Sequence, residues 1–314
     1  MLIRVGLPYL PSTADHPYLL VLRDLKARCL ISVNSLYRPE RGFARVPMTA
    51  WTHAPAIDSA GFVATIRYGG YRWSVEEYVD AIVRNFDNPL MPHPWSWWSA
   101  MDFCCEPEIA ADRAEVARRM QATLDHYAET MAHLTAWRHE GETDTPDPLP
   151  ILQGRTPADY VTMARDLAAV IDATDDCICP DLDCDATFHR ERKGLPELVG
   201  VGSVCRREVA GPEGILNVLG ALDAALPTHV RLHLFGVKGA LLRHPEISVF
   251  AHRIASVDSL AWDFAARQAA IERRKTDPAF SNTVAHRAGH MRRWYLAQRP
   301  PVERQRSLFA PRIR

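Results

Sequence analysis

The sequence predicts an α/β protein folded as a (β/α)8 TIM barrel with a small Cys-rich insertion. Short apolar runs alternate with helical patterns along most of the 314 residues, and that alternation implies a parallel sheet covered by helices. About seven or eight such units in roughly 270 residues suit a closed barrel better than an open sheet. Several of the apolar runs end directly in Asp or Gln, and the C-terminal ends of barrel strands are where such a fold carries its site.

The predicted strands are residues 30–33, 54–57, 98–103, 149–153, 198–204, 230–235 and 254–257. Between them Ser74-Val75-Glu76-Glu77 is a capping box, with Ser74 as N-cap and Glu77 three residues on. Residues 110–137 form a long amphipathic pattern rich in Ala, Arg and Glu. Thr156 as N-cap and Pro157 at the first helical position start another helix. Helical patterns at 212–225 and 260–274 complete the set. Residues 141–150 are acidic and Pro-containing and predict a loop, while 175–193, rich in Asp and Cys, predict an irregular insertion. Beyond Pro300, Pro and Arg dominate and a poorly ordered tail is expected. The expected organisation is one barrel domain over 1–300, a metal-binding insertion at 175–193 within it, and a basic tail at 301–314.

Apolar residues at 47% and charged residues at 24% are ordinary for a water-soluble enzyme. The net charge of −1 does not itself point to a polyanionic partner. Its distribution is more informative: from Arg267 onward twelve Lys or Arg face three Asp or Glu. That stretch is either a phosphate-binding surface or a solvated basic tail. No apolar run is long enough for a membrane span, and Met1-Leu2-Ile3-Arg4 lacks the layout of a signal peptide. A cytoplasmic location, in a bacterium or a phage-infected host cell, is therefore expected, with the seven cysteines as free thiols or metal ligands.

Four strand ends converge on one barrel mouth. They are Asp58-Ser59-Ala60-Gly61-Phe62, Asp102, Gln153-Gly154 and Asp258-Ser259. For one Asp taken alone, a helix N-cap in the loop after the strand is the commoner role. Three carboxylates crowded at one mouth instead divide into nucleophile and general acid or base, because neighbouring negative charges push their pKa values apart.

These motifs, in this order, resemble those of the tRNA-guanine transglycosylase superfamily. Asp58-Ser59-Ala60-Gly61-Phe62 is similar to that family's Asp-Ser-Gly-Gly-Phe, and Met101-Asp102 to its second aspartate strand. Ile151-Leu152-Gln153-Gly154 is similar to its Val-Gln-Gly strand, and Val199 to Val204 to its glycine-rich strand. Leu234-Phe235-Gly236-Val237 is similar to Leu-Met-Gly-Val, and Val257-Asp258-Ser259 to the Phe-Asp-Ser motif of the archaeal branch. Within the superfamily the sequence most resembles the DpdA branch, which inserts 7-deazaguanines into DNA. Gly202-Ser203-Val204-Cys205-Arg206-Arg207, Leu232-His233-Leu234-Phe235-Gly236-Val237-Lys238 and the stretch around Asp258 carry that likeness.

The resemblance implies a mechanism. Asp258 would attack the anomeric carbon and displace guanine, and the incoming deazaguanine, of the preQ0 type, would attack the resulting ester from the same face. Two displacements retain configuration, and a carboxylate serves both as nucleophile and as leaving group. Asp58 would act as general acid or base. Asp102 and Gln153 would read the guanine edge, Gly202 would let the backbone approach the flat base, and Ser59 would touch base or sugar. The target nucleotide must be single-stranded or flipped out of its duplex. Arg206 and Arg207 are candidates for gripping flanking phosphates, the alternative being a surface charge pair. Trp95, Trp97 and Trp98 would supply a stacking platform or a packed loop anchor.

The superfamily also holds a structural zinc after the nucleophile strand, commonly on three Cys and one His. Here no Cys follows Cys205. Cys177, Cys179, Cys184 and His189 have ligand-like spacing, and three thiolates with an imidazole complete a tetrahedral zinc site. His286 and His290, four apart on a predicted helix, are a second candidate that lacks further ligands. The expected partners are DNA, with tRNA as the alternative, and a free deazaguanine base, with a homodimer possible. A non-catalytic nucleic-acid-binding barrel is the third reading.

Overall fold

The strands of the sheet follow one another in chain order: β1 (Leu2–Leu7), β2 (Arg28–Ser32), β3 (Ala56–Asp58), β4 (Trp97–Trp98), β5 (Ile151–Leu152), β6 (Leu198–Val201), β7 (Arg231–Leu234) and β8 (Ile254–Ser259). This computed structural model describes residues 1–46, 53–87, 95–141, 143–174, 194–237 and 239–298. Neighbouring strands are parallel throughout, and β1 pairs with β8, with Arg4 opposite Asp258. The remaining seam lies between β4 and β5. It is joined by a parallel bridge between Ser99 and Leu149, where Leu149 N donates to Trp98 O at 2.7 Å and Ala100 N donates to Leu149 O at 3.0 Å. The fold class is thus the one the sequence predicts.

Helices cover the outside. They are α1 (Pro17–Leu25), α2 (Gly61–Tyr68), α3 (Val75–Phe86), α4 (Arg113–His139), α5 (Pro157–Thr174), α6 (Ile215–Ala225), α7 (Gly239–Leu242), α8 (Ala261–Arg274) and α9 (Val284–Gln298). The predicted capping box forms: Glu77 N donates to Ser74 Oγ at 3.1 Å, and Ser74 N donates to Glu77 Oε2 at 2.9 Å. Asp112 caps α4 by accepting from Glu115 N at 2.8 Å, so the helix begins slightly later than its amphipathic pattern. Among the described residues the β2 to β3 connection carries a short hairpin, Tyr37–Arg38 with Gly42–Phe43. No described helix is long and apolar enough to cross a membrane.

Strand periodicity sorts the side chains. Val5, Ile31, Ile57, Val199, Val201, Leu232 and Val257 point outward into the layer between strands and helices. Leu30, Ala56, Trp97, Leu149 and Ile151 pack together inside the barrel, with Leu198 and Phe235 against them. Gly200 belongs to this inner set, because a Cβ there would lie 2.4 Å from Ile151 Cδ1 and 2.6 Å from Phe235 Cε2.

The first strand departs from the sequence expectation, which places no strand before residue 30. Arg4 and Gly6 interrupt its apolar run because both face the lumen, while Ile3, Val5 and Leu7 pack outward. β4 and β5 are also shorter than the predicted runs 98–103 and 149–153. Beyond Trp98 the chain leaves the ladder to carry Asp102 across the mouth. Trp95, Trp97 and Trp98 are all buried: Trp97 lies in the lumen, and Trp98 stacks edge-on with Tyr78 while donating to Pro146 O at 2.7 Å. They anchor the wall and offer no platform to a base.

The crowding at Gly200 and the open space at Gly220 in α6 predict opposite outcomes for the same substitution. Gly200→Ala overpacks the lumen and lowers unfolding free energy by about 1–3 kcal/mol. Gly220→Ala, with nothing within 4 Å, raises it by about 0.5–1 kcal/mol. Urea melts of the two variants check both signs.

Candidate active site

Asp58 is the last residue of β3, and Ser32 lies opposite it on β2. The chain then turns sharply into α2 through Ala60, whose φ of 70° and ψ of 24° are left-handed. The resembled motif has Gly at this place. An alanine there costs about 1–2 kcal/mol, and the rest of the turn holds it. Ser59 N donates to Ser99 Oγ at 2.9 Å. Gly61 lies against Asp102, since a Cβ on it would sit 2.5 Å from Asp102 O.

Asp102 is held on every side. Ser59 Oγ donates to its Oδ1 at 2.7 Å, and Gln153 Nε2 donates to its Oδ2. The Tyr71 hydroxyl donates to Asp102 O at 2.9 Å and accepts from Asp102 N at 3.0 Å, with Ser59 Oγ at 3.1 Å. Gln153 is fully buried, and its Oε1 faces Ser203 Oγ at 2.5 Å. That serine hydroxyl also lies 3.0 Å from Glu106 Oε2 and accepts from Cys105 N at 2.6 Å. It has one hydrogen, so it donates to either Gln153 or Glu106 at a given moment. Gly202 makes room for Gln153: a Cβ there would lie 2.2 Å from Nε2. Tyr160 donates its hydroxyl to Gly202 O at 2.8 Å.

Asp258 stands on β8 and is buried. Its Oδ1 accepts from Gly236 N at 2.9 Å, and Oδ2 meets no hydrogen-bond donor among the described residues. His233 Nε2 approaches Oδ1 at 3.3 Å.

These carboxyl groups do not titrate like exposed ones. Burial pushes Asp58 well above the ordinary Asp range, and the charges of Asp102 and Asp258 push the same way. Asp58 is half-buried by accessible area but is enclosed by protein atoms. Burial also raises Asp102, to about 6, with Glu106 adding to the rise and hydrogen bonds from Ser59, Gln153 and Tyr71 opposing it. The arrangement therefore favours the neutral form of Asp58 near the Asp258 carboxyl, which suits proton transfer coupled to nucleophilic attack.

Asp58, Ser59, Asp102, Gln153 and Gly202 thus meet at one mouth, and Asp258 is close enough to perturb Asp58. The two arginines part company. Arg206 is exposed, with its guanidinium 4.9 Å over the Phe62 ring. Arg207 is buried and spends its five donors on Ser203 O at 2.6 Å, Arg155 O at 2.5 Å, Glu213 O and Gly154 O both at 2.8 Å, and the Tyr160 hydroxyl at 3.3 Å. It ties the β5 and β6 loops together and has no donor left for a phosphate, which corrects the expectation for that residue. Cys177, Cys179, Cys184 and His189 lie outside the described residues. Among the described residues no group of three or more His, Cys, Asp or Glu could hold a metal. His286 and His290 stack with ring centroids 4.7 Å apart and, among the described residues, have no further ligand to complete a metal site.

Sequence reasoning missed Tyr71, Glu106, His233 and Arg4. Tyr71 reaches Asp102 from a turn with no motif of its own. Glu106 follows the aspartate strand by four residues, where a charged loop is ordinary. Arg4 and His233 carry a readable signal, a polar residue at alternate places within an apolar strand.

Parallel strands around a lumen with acidic groups at their C-terminal ends are the arrangement found in barrel enzymes of the acid–base or nucleophilic class. The family model DpdA, DeoxyPurine in DNA protein A, matches residues 22–300, and the chain belongs to that family. Membership supports a DNA 7-deazaguanine transglycosylase type of function. No curated protein matches the chain.

The raised Asp58 pKa has a consequence for stability. Above about pH 4 the unfolded chain releases this proton while the folded protein keeps it, so unfolding free energy falls as pH rises toward the folded value. Asp58→Asn removes that fall. Its melting-temperature margin over the unsubstituted protein should grow as pH rises above about 4 toward the folded-state pKa. A margin independent of pH would contradict the assignment.

Proposed function

We propose that this protein exchanges guanine in DNA for a 7-deazaguanine base of the preQ0 type, through a covalent ester between Asp258 and the deoxyribose. The observation that carries this reading is the pairing of Asp258, with Oδ1 held by a backbone N–H and Oδ2 without a donor among the described residues, with an Asp58 whose pKa is raised by burial and by the charges of Asp102 and Asp258. An Asp258 oxygen attacks C1′ of the extruded nucleotide, and the C1′–N9 bond breaks with its electron pair passing to guanine. Asp58 delivers its proton to the departing base. The incoming deazaguanine returns a proton to Asp58 and attacks C1′, and the C1′–O bond to Asp258 breaks, which regenerates the carboxylate.

Asp102 faces the base with both oxygens already fixed by neutral donors and with lone pairs left to accept base N–H groups. Gln153 keeps one amide hydrogen for a carbonyl and otherwise orients Asp102. Arg206, on the exposed side of Phe62, is the candidate phosphate contact.

Exchange is tested by incubating the protein with labelled preQ0 or guanine and either duplex DNA or tRNA. Label should enter DNA, and Asp258→Ala should abolish its entry. Asp58→Asn should slow it about 100-fold or more. Label in tRNA but not DNA overturns the DNA assignment. Tight DNA binding without label in either supports a binding barrel. Retained exchange in Asp258→Ala refutes the covalent mechanism.

A structural zinc on Cys177, Cys179, Cys184 and His189 belongs to the same proposal, resting on donor chemistry that suits this ion. Purified protein should contain about one zinc per chain, lost when Cys177 and Cys184 are changed to Ser. Full zinc retention in that double variant rejects this ligand set.

A further inference from the structure

Beneath the mouth the lumen holds polar groups that the exchange chemistry above does not use. His233 on β7 is fully buried, boxed edge-on by Trp97 at 4.8 Å and Phe235 at 4.6 Å between ring centroids. Its Nδ1 lies 2.7 Å from Ser256 Oγ, and its Nε2 lies 3.3 Å from Asp258 Oδ1. Ser256 and Asp258 are two apart on β8, so both face the lumen and stand roughly 6.6 Å apart along the strand. An imidazole on the neighbouring strand spans that gap with one nitrogen at each end. Nε2 sits off the line of a straight hydrogen bond, and no other hydrogen-bond partner meets it among the described residues. The acceptor nearest to hand for this buried nitrogen among them is Asp258 Oδ1.

We propose that His233 is a positioning residue for Asp258: a neutral imidazole, its tautomer set by Ser256, that holds Oδ1 by its Nε2–H so that Oδ2 faces the sugar. The proposal rests on Asp258 being the nucleophile. An ionised carboxylate only accepts, so the ring proton belongs on Nε2. Nδ1 is then the acceptor, and the Ser256 hydroxyl donates to it. With Gly236 N at 2.9 Å, Oδ1 would have two donors, while Oδ2 keeps its electron pairs for attack.

The surroundings favour the neutral ring. Burial lowers the His233 pKa, the Asp258 charge opposes this, and the Arg4 charge lowers it further. The charged groups acting on the ring are Asp258 from β8 and Arg4 from β1, while Trp97 from β4 and Phe235 from its own strand are uncharged. Arg4 is itself buried, 5.1 Å over Trp97 and in register with Asp258. A neutral donor orients the carboxylate, whereas an imidazolium would pair with it and blunt its attack.

Two variants test this, His233→Phe, which fills the aromatic box without a donor, and His233→Gln, which keeps an N–H near the Nε2 site. Single-turnover mixing with a deoxyguanosine-containing duplex and acid quench measures the Asp258–deoxyribose adduct by peptide mass, alongside steady-state exchange across pH 5–9. The expected result is adduct on Asp258 in the unsubstituted protein, formed about 100-fold more slowly in His233→Phe, with KM for the base within about threefold. His233→Gln should recover most of the rate. Adduct forming at the unsubstituted rate in His233→Phe, or a His233→Gln rate no faster than that of His233→Phe, overturns the role of His233 alone. Absence of any adduct on Asp258 in the unsubstituted protein removes the nucleophile assignment, and with it this inference.

Discussion

Closure of the parallel sheet imposes the constraint on which the rest of this protein depends. Once the ladder returns on itself, alternate residues of each strand face an enclosed lumen and the others face the helices. That parity sends Ile57, Leu152, Val201 and Val257 outward into apolar packing, and Asp58, Gln153, Gly202 and Asp258 inward at the mouth. A slip of one residue in any strand would bury a carboxylate among leucines and expel an apolar side chain into the site. The seam between β4 and β5 is the thinnest part of this closure, joined by the pairing around Ser99 and Leu149.

The mouth so formed is acidic and enclosed, and the groups around it answer the resulting repulsion in different ways. Burial and neighbouring charge raise the Asp58 pKa. The Asp102 carboxylate accepts from the neutral Ser59 hydroxyl and Gln153 amide, which stabilise a charge without cancelling it, while the Tyr71 hydroxyl binds its backbone. Asp258 has a backbone N–H and, across the barrel wall, the buried positive charge of Arg4. Burial lowers Arg4 to about 10, with nearby Arg28 adding to the fall, while Asp258 offsets part of it. Asp258 thus supports the charged form of Arg4.

How much of this was legible beforehand varies by residue. The capping box at Ser74, the Thr156–Pro157 helix start and the inward polar strand ends at Asp58, Gln153 and Asp258 are local patterns, and they read correctly because capping and strand alternation are set by nearest neighbours. β1 did not read, because its lumen-facing Arg4 and Gly6 break the apolar run that signals a buried strand. Arg206 and Arg207 were indistinguishable as a pair of adjacent cations. Only packing shows that one stacks on Phe62 in the open and the other is buried in a ring of carbonyls.

What the sequence alone determined was the barrel class and the ordered set Asp58, Asp102, Gln153, Gly202 and Asp258, since each sits at the end of an apolar run and chain order carries the likeness to its family. What only the tertiary structure decided was their company. Tyr71 reaches Asp102 across 31 residues, Ser203 meets Glu106 across 97, and His233 meets Asp258 from a neighbouring strand. Those contacts depend on how strands close around a lumen, and chain closure brings together residues whose separation along the sequence has no bearing on their distance in space.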